Sequence, residues 1–486
     1  MSAVPDKNSS PAVRPFSELP LSAAVLANLE QLGYAQMTPI QAASLPLALA
    51  GRDLIAQAQT GSGKTAAFAL SLLHRLDATR MEVQALVLCP TRELADQVTQ
   101  EIRRLARAAD NIKVLTLCGG SPMRPQAESL AYGAHIAVGT PGRLMDHLDR
   151  GTLQLGALNT LVLDEADRML DMGFLDDIVK VAKQCPKDRQ TLLFSATYPE
   201  GIAELARQFM REPAEVKVQA GGSGGSGQAA QAPAQIRQLA FEIAEAQRLH
   251  AVSSLLLHFR PARTIAFCNT KQQCRDLVDV LLAQGFVALA LHGDLEQRER
   301  DQVLIQFANG SCSVLVATDV AARGLDIAQL ECVINVDMSQ DAEAHVHRIG
   351  RTGRAGAQGL ALSLASLDEM GRVGRIEQLL GREFQWQALD QLAPTEGGAP
   401  LQPAMDTLQI LGGRKDKIRP GDILGALTGE AGFESADIGK INITDFHSYV
   451  AVKRELAREV VKRLSNGKLK GRKVKVRRMA DLVELG

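Results

Sequence analysis

Eight residues, Ala58-Gln59-Thr60-Gly61-Ser62-Gly63-Lys64-Thr65, constrain this chain more than any other stretch. They follow the apolar run Asp53-Leu54-Ile55-Ala56, which predicts a buried strand. They precede Ala66-Ala67-Phe68-Ala69-Leu70-Ser71-Leu72-Leu73, which predicts a helix. A glycine-rich turn between strand and helix makes an anion cradle, because backbone N–H groups converge there and the helix N-terminus favours negative charge. Thr60, Gly61, Ser62 and Gly63 would line the cradle. Lys64 would reach the terminal phosphates of a nucleoside triphosphate, and the Thr65 hydroxyl would hold Mg²⁺. Ala58 stands where the general pattern has glycine.

A chain of 486 residues with 46% hydrophobic content can form two or three ordinary globular domains. The formal net charge of −1 does not by itself suggest nucleic acid, but the charge is unevenly placed. No apolar run is long enough to span a bilayer, and residues 1–15 lack the basic-then-apolar plan of a signal peptide. Seven cysteines, an odd number without a C-x-x-C pair, lie mostly in apolar strand-like runs. They predict reduced core thiols and a cytoplasmic protein without a membrane partner.

Beyond the cradle, apolar runs alternate with helical patterns: Leu86-Val87-Leu88, Val114-Leu115-Thr116-Leu117, Ile136-Ala137-Val138, Leu161-Val162-Leu163 and Leu192-Leu193-Phe194. Alternation of this kind predicts an α/β fold with a parallel sheet, and function gathers at the carboxyl ends of such strands. Each run ends in a polar cluster. These are Pro90-Thr91-Arg92-Glu93-Leu94-Ala95, Gly119-Gly120, Thr140-Pro141-Gly142-Arg143, Asp164-Glu165-Ala166-Asp167 and Ser195-Ala196-Thr197. Asp164 can hold Mg²⁺ through water, and Glu165 can orient and deprotonate an attacking water. Upstream, the Gln41 carboxamide suits an adenine edge and the Phe16 ring an adenine face.

In this order the clusters resemble the DEAD-box RNA helicases, including the alanine at position 58. The resemblance implies ATP and Mg²⁺ as cofactors and RNA as partner. It implies that residues 33–41 with Phe16 sense adenine, and that Arg92, Gly120, Thr140 and Arg143 grip an RNA backbone. Ser195 and Thr197, partly through Asp167, would couple nucleotide state to strand separation.

Residues 219–235 are rich in Gly, Ser, Ala and Gln, and predict a flexible linker. Alternation then resumes in Thr264-Ile265-Ala266-Phe267-Cys268, Val287-Ala288-Leu289-Ala290-Leu291, Val314-Leu315-Val316-Ala317, Val333-Ile334-Asn335-Val336 and Leu360-Ala361-Leu362. This is a second parallel domain without a phosphate loop. Its Gly-punctuated segment His347-Arg348-Ile349-Gly350-Arg351-Thr352-Gly353-Arg354 is expected to be a turn that supplies arginine fingers. The resemblance implies Arg351 and Arg354 at the γ-phosphate and His347 in coupling. It further implies Asp326 at the ribose, with Thr318, Gln297 and Arg300 on RNA.

Residues 383–404 read as another linker. Between Phe446 and Ala480 stand twelve Lys and Arg residues opposed only by Glu455 and Glu459. Arg414, Lys415, Lys417 and Arg419 form a second basic cluster upstream. Concentrated positive charge is the footprint of a phosphate-backbone partner. The predicted order βαββαβ is that of an RNA-recognition fold. Aromatic stacking residues are expected to be missing from both central strands, with Phe446 and Tyr449 nearby, so loops and basic edges become the expected readers. Residues 417–429 and 437–441 resemble the C-terminal domain of bacterial DEAD-box helicases directed to 23S ribosomal RNA, which implies a role in large ribosomal subunit assembly.

The expected organisation is a terminal segment over 1–15, RecA-like domains over 16–218 and 236–382, and an RRM-like α+β domain over 405–486. A monomeric ATP-dependent RNA helicase is expected. An ATP-switched RNA clamp, a DNA helicase and a general RNA helicase with a non-specific basic tail are the alternatives.

Overall fold

The computed structural model describes residues 14–58, 61–109, 111–198, 200–218, 236–322, 330–353, 358–392 and 398–483. Among the residues with expected roles, Thr60, Asp326 and Arg354 lie outside this set, as does the linker at 219–235. The chain divides into two units, with the boundary inside the 219–235 segment.

The first unit holds seven strands: β1 (Leu54–Gln57), β2 (Ala85–Leu88), β3 (Val114–Leu117), β4 (Ile136–Gly139), β5 (Thr160–Leu163), β6 (Gln190–Ser195) and β7 (Ala214–Lys217). They form one parallel sheet in the order β3-β4-β2-β5-β6-β1-β7. Its central strands are buried on both faces, as their continuous apolar runs require. Alternation along β1 sends Leu54 and Ala56 to the face covered by helix Lys64–His74, and Ile55 to the opposite core. Phe68 of that helix meets Phe194 of β6 with ring centroids 5.4 Å apart, which fixes the helix start over the ends of β1 and β6.

In the second unit β8 (Ile236–Glu242), β9 (Thr264–Cys268), β10 (Ala288–Leu291), β11 (Val314–Thr318), β12 (Cys332–Asn335), β13 (Gly359–Ala365) and β14 (Trp386–Gln387) build a second parallel sheet. Its order is β10-β11-β9-β12-β13-β8-β14. The stretch read as a linker from residue 383 thus contributes an edge strand and a buried Phe384.

The same unit continues into β15 (Met405–Leu411), β16 (Ile438–Ile443), β17 (His447–Lys453) and β18 (Val476–Arg478). These make an antiparallel sheet in the order β16-β17-β15-β18, with helices Pro420–Gly425 and Ala457–Asn466 packed on one face. This is the expected βαββαβ arrangement.

One expectation is corrected here. The strand expected over 449–452 is β17, which also takes in His447, Ser448 and Lys453, so Tyr449, expected beside the central strands, stands within one.

Candidate nucleotide and RNA sites

The strand order of the first sheet sorts the polar clusters into two neighbouring groups. β5, β6 and β1 are adjacent, so Asp164–Asp167, Ser195–Thr197 and the phosphate loop stand side by side. β2, β4 and β3 are adjacent on the other half of the same edge and carry Arg92, Thr140, Arg143 and Gly119-Gly120.

In the nucleotide group the loop turns through Gly61 and Gly63, both in left-handed backbone. A Cβ at Gly63 would lie 2.6 Å from the Gln41 amide nitrogen, so only glycine fits. Gln41 is buried. Its Nε2 donates to the Gly63 carbonyl (3.1 Å), and its Oε1 accepts from the Thr38 N–H (2.8 Å). The expected adenine reader is therefore bonded directly to the phosphate loop. Phe16 is also buried and packs edge-on against Tyr34. Lys64 is buried at the start of its helix, its ammonium donating to the Ala58 carbonyl (2.7 Å), and Thr65 follows half-buried. Ser62 precedes them in the loop.

Asp164 is buried at the end of β5. Burial pushes its carboxyl up to about 7 against the opposing pull of Lys64. A divalent cation would relieve that desolvation, so the site fits Mg²⁺. The described residues hold no group of three or more His, Cys, Asp or Glu that could bind a metal. One carboxylate and one hydroxyl suit an ion that keeps its waters and leans on substrate phosphates. Glu165 sits in left-handed backbone (φ 50°) just before helix Ala166–Asp171, a strained placement of about 1–3 kcal/mol of the kind that gathers at functional sites.

Asp167 joins two clusters. Its Oδ2 accepts from the Thr197 N–H (2.8 Å), the Thr197 hydroxyl (2.9 Å) and the Ala196 N–H (3.2 Å), while its own N–H donates to the Ser195 hydroxyl (3.3 Å). The Ala58 N–H donates to the Ser195 carbonyl (3.0 Å), which carries the chain of contacts to the phosphate loop.

On the β2-β4-β3 half, where RNA contacts are expected, the Arg92 guanidinium lies against Gly119 and Gly120. A Cβ built on Gly120 would be 1.7 Å from its Nη1, and Gly120 has φ +73°. Arg143 donates to the Ser121 carbonyl and to Gln126 Oε1, both at 3.0 Å. Gln126, which the sequence did not single out, also donates to the Cys118 carbonyl and meets His147 Nε2 at 3.0 Å. Thr140 begins helix Pro141–Asp149 without a side-chain capping bond.

In the second unit, Thr318 ends β11 and Arg300 donates to the Ala321 carbonyl (3.3 Å). Gln297 starts the helix that carries Arg300 and donates to Asp301 (2.9 Å). The expected basic turn is partly helix: His347 and Arg348 belong to Ala342–Ile349, and the turn begins at Gly350 with Arg351 half-buried beyond it. Arg348 is fully buried on Asp319 (2.7 Å for both Nε and Nη2), the Asp337 carbonyl and Asn269. It ties the end of β11 to this helix, a link no linear motif announces. All seven cysteines are free and buried, and burial raises Cys118 to about 12 and Cys185 to about 11, so these thiols stay protonated. Among the described residues no helix is long and apolar enough to cross a membrane. Arg414, Lys415, Lys417 and Arg419 are exposed on the loop after β15.

Comparison with known proteins agrees with this geometry. The DEAD/DEAH box helicase profile matches residues 38–205, the helicase conserved C-terminal domain residues 247–356, and the DbpA RNA binding domain residues 407–478. The ATP-dependent RNA helicase DbpA of Escherichia coli is 52% identical over 94% of this chain and 97% of its own. The chain belongs to the DEAD-box ATP-dependent RNA helicases. As a DEAD-box protein it is also 44% identical, over 69% of its length and 70% of the relative's, to the helicase CshA of Geobacillus kaustophilus. Among solved structures, Saccharomyces cerevisiae Dbp5 bound to RNA and ADP BeF3 matches with a TM-score of 0.71 and 31% identity, covering 78% of this chain and 96% of that one. As in that family, the first two sheets are RecA-like, and the enzyme is an RNA helicase driven by ATP.

Proposed function

We propose that this helicase separates short stretches of RNA duplex in 23S ribosomal RNA during assembly of the large ribosomal subunit, as a cytosolic monomer. We propose further that its residues divide the work as the first sheet divides its edge. The observation that carries this reading is the sorting of the β5-β6-β1 and β2-β4-β3 ends into two neighbouring groups. The match of residues 407–478 to the DbpA RNA binding domain, and the 52% identity to DbpA, support the ribosomal address.

In this scheme Lys64 exchanges the Ala58 carbonyl for phosphate oxygens, and Thr60, Gly61, Ser62 and Gly63 give backbone N–H groups. Thr65 and Asp164 hold Mg²⁺, which when bound neutralises phosphate charge. Glu165, aimed by its strained backbone, takes a proton from the attacking water. Gln41 reports adenine to the loop through its bond to the Gly63 carbonyl, with Phe16 bracing the same region. Asp167 transmits a change at the Glu165 strand end to Thr197 through the bonds its carboxylate accepts, and to Ser195 through the bond its N–H donates.

Arg92, Gly120, Thr140 and Arg143 follow one RNA backbone, as do Gln297, Arg300 and Thr318 of the second unit. Arg351 and Arg354 supply charge at the γ-phosphate, Asp326 the ribose contact, and His347 coupling. Arg414, Lys415, Lys417 and Arg419 hold the target RNA. Backbone contacts carry little base information, so selection falls to residues 405–486. The proposed domain limits are 16–218, 236–392 and 405–486, the second taking in β14 and Phe384.

The test is Glu165→Gln. It keeps size and polarity but cannot accept the water's proton, so hydrolysis is expected to be abolished while ATP and RNA still bind. Turnover at the wild-type rate would remove Glu165 from this role.

A further inference from the structure

We infer that the C-terminal domain holds an unpaired base of its RNA by stacking it on Phe446, on a rigid loop platform at one end of its sheet. This rests on the reading of that domain as an RNA-binding module. Alternation along β15 and β17 sends Leu408, Ile410, Val450 and Val452 into the core beneath the sheet. Thr407, Gln409, Tyr449 and Ala451 go to the opposite face. On a free four-stranded sheet that second face is where bases stack. Here it is covered by the preceding domain of the same unit.

Tyr449 is 3% exposed, and Thr407, Gln409 and Ala451 are equally buried. The cover is helix Gln297–Ala308 and the turn after it. Gln302 Nε2 donates to the Tyr449 hydroxyl (3.5 Å) and Asn309 Nδ2 to Thr407 Oγ1 (3.2 Å), while the Ser311 and Thr407 hydroxyls lie 2.6 Å apart. Phe433 is buried in the domain core beneath Arg463. Among the described residues of 405–483, the aromatic ring left in solvent is that of Phe446, at 59% exposure.

That ring is held there by backbone. The Gly412 N–H donates to the Phe446 carbonyl (3.0 Å), the Arg414 N–H to the Thr444 carbonyl (2.9 Å) and the Lys415 N–H to the Asp445 carbonyl (3.0 Å). Glycine at 413 permits the approach, since a Cβ there would lie 2.4 Å from the Thr444 carbonyl oxygen. The Lys415 ammonium stands 4.2 Å from the ring centroid, and Arg414 lies 3.6 Å from Asp445. Lys417 and Arg419 are exposed on the same loop, and Lys470 joins it by donating to the Lys417 carbonyl (2.6 Å). A presented ring with an ammonium over one face and further cations on the same loop fits a base and its phosphates. An apolar protein partner would find Lys and Arg where it needs a dry rim.

The experiment uses the full chain without nucleotide at fixed salt. Three probes are titrated: a 23S ribosomal RNA transcript, a shuffled transcript of equal length, and a fully paired RNA duplex. Phe446→Leu is expected to weaken transcript binding roughly 5- to 150-fold, the range of one stacked base converted at tenfold per 1.4 kcal/mol. Duplex binding should be unchanged, and Phe446→Tyr should restore the loss. In a Trp386→Phe background, the indole introduced by Phe446→Trp should be quenched by the 23S transcript. Wild-type affinity of Phe446→Leu for every probe, an equal loss on the duplex, or an unquenched indole in an RNA-bound chain would each overturn the stacking site. If the wild-type chain binds 23S and shuffled transcripts alike while Phe446→Leu weakens both, the ribosomal address falls and the stacking site stands.

Discussion

A single methyl group added at Gly120 should uncouple RNA from the ATPase without touching ATP. Two costs follow from the structure. Gly120 has φ +73°, where an L-residue with a Cβ costs about 1–2 kcal/mol. The added carbon would also stand 1.7 Å from Arg92 Nη1, so the guanidinium must leave its place. One displaced charge-assisted contact to phosphate is worth about 1.5–3 kcal/mol, or roughly 10- to 150-fold in RNA affinity. The neighbouring glycine supplies a graded control. A Cβ at Gly119 would lie 3.2 Å from Arg92 Nη2, a distance that a shift of a few tenths of an ångström relieves. Steady-state ATPase titrated with RNA reads the effect. Gly120→Ala should raise the RNA concentration for half-stimulation by at least tenfold and Gly119→Ala by far less, with KM for ATP unchanged in both. Added to Arg92→Ala, Gly120→Ala should cost little more, because both remove one contact. An ordinary RNA response from Gly120→Ala, equal defects at the two glycines, or a raised KM for ATP would refute this division of the sheet edge.

Two further predictions concern stability. His345 is fully buried against Phe384 with neither ring nitrogen bonded, and burial beside Arg348 lowers it to about 3. The unfolded chain therefore binds the extra proton first, and stability contributed by neutral His345 is lost as pH falls from about 6.5 towards 3. Urea unfolding of His345→Phe should show a shallower acid-side decline than wild type, and identical slopes would exclude this group. Thr407→Val keeps the shape of the buried seam but strips Asn309 Nδ2 and the Ser311 hydroxyl of their partner. Urea unfolding should show a loss of about 1–3 kcal/mol, and a neutral result would mean the seam reopens to water.

Much of this architecture is legible in the chain because central parallel strands must be apolar on both faces. β2, β5, β6, β9 and β11 all stand out as uninterrupted runs. β8 does not, since Arg237 and Gln238 break its run next to the polar linker. β14 has only two residues, and both are exposed. The site clusters are legible because each one ends a strand, yet their neighbours in space are not. Only the family resemblance links Asp167 to Thr197, and nothing in the sequence pairs Gln126 with Arg143. Charge read along the chain also misplaces Arg348, which resembles its flanking basic residues and is buried on Asp319. Tyr449 hides for a third reason: the surface that covers it comes from helix Gln297–Ala308, more than a hundred residues upstream.

The claim that joins these parts is that ATP turnover in the first domain separates RNA strands that residues 405–486 have selected. Strand displacement tests it directly. A short labelled duplex is appended either to a 23S ribosomal RNA fragment that the full chain binds or to a shuffled fragment of equal length. Release is then followed with ATP, without nucleotide, and with ATP in the Glu165→Gln variant. The expected result is rapid, ATP-dependent release from the 23S fragment, much slower release from the shuffled one, and no multiple-turnover release by Glu165→Gln. Equal release from both fragments, or release that continues unchanged without ATP, would contradict the account.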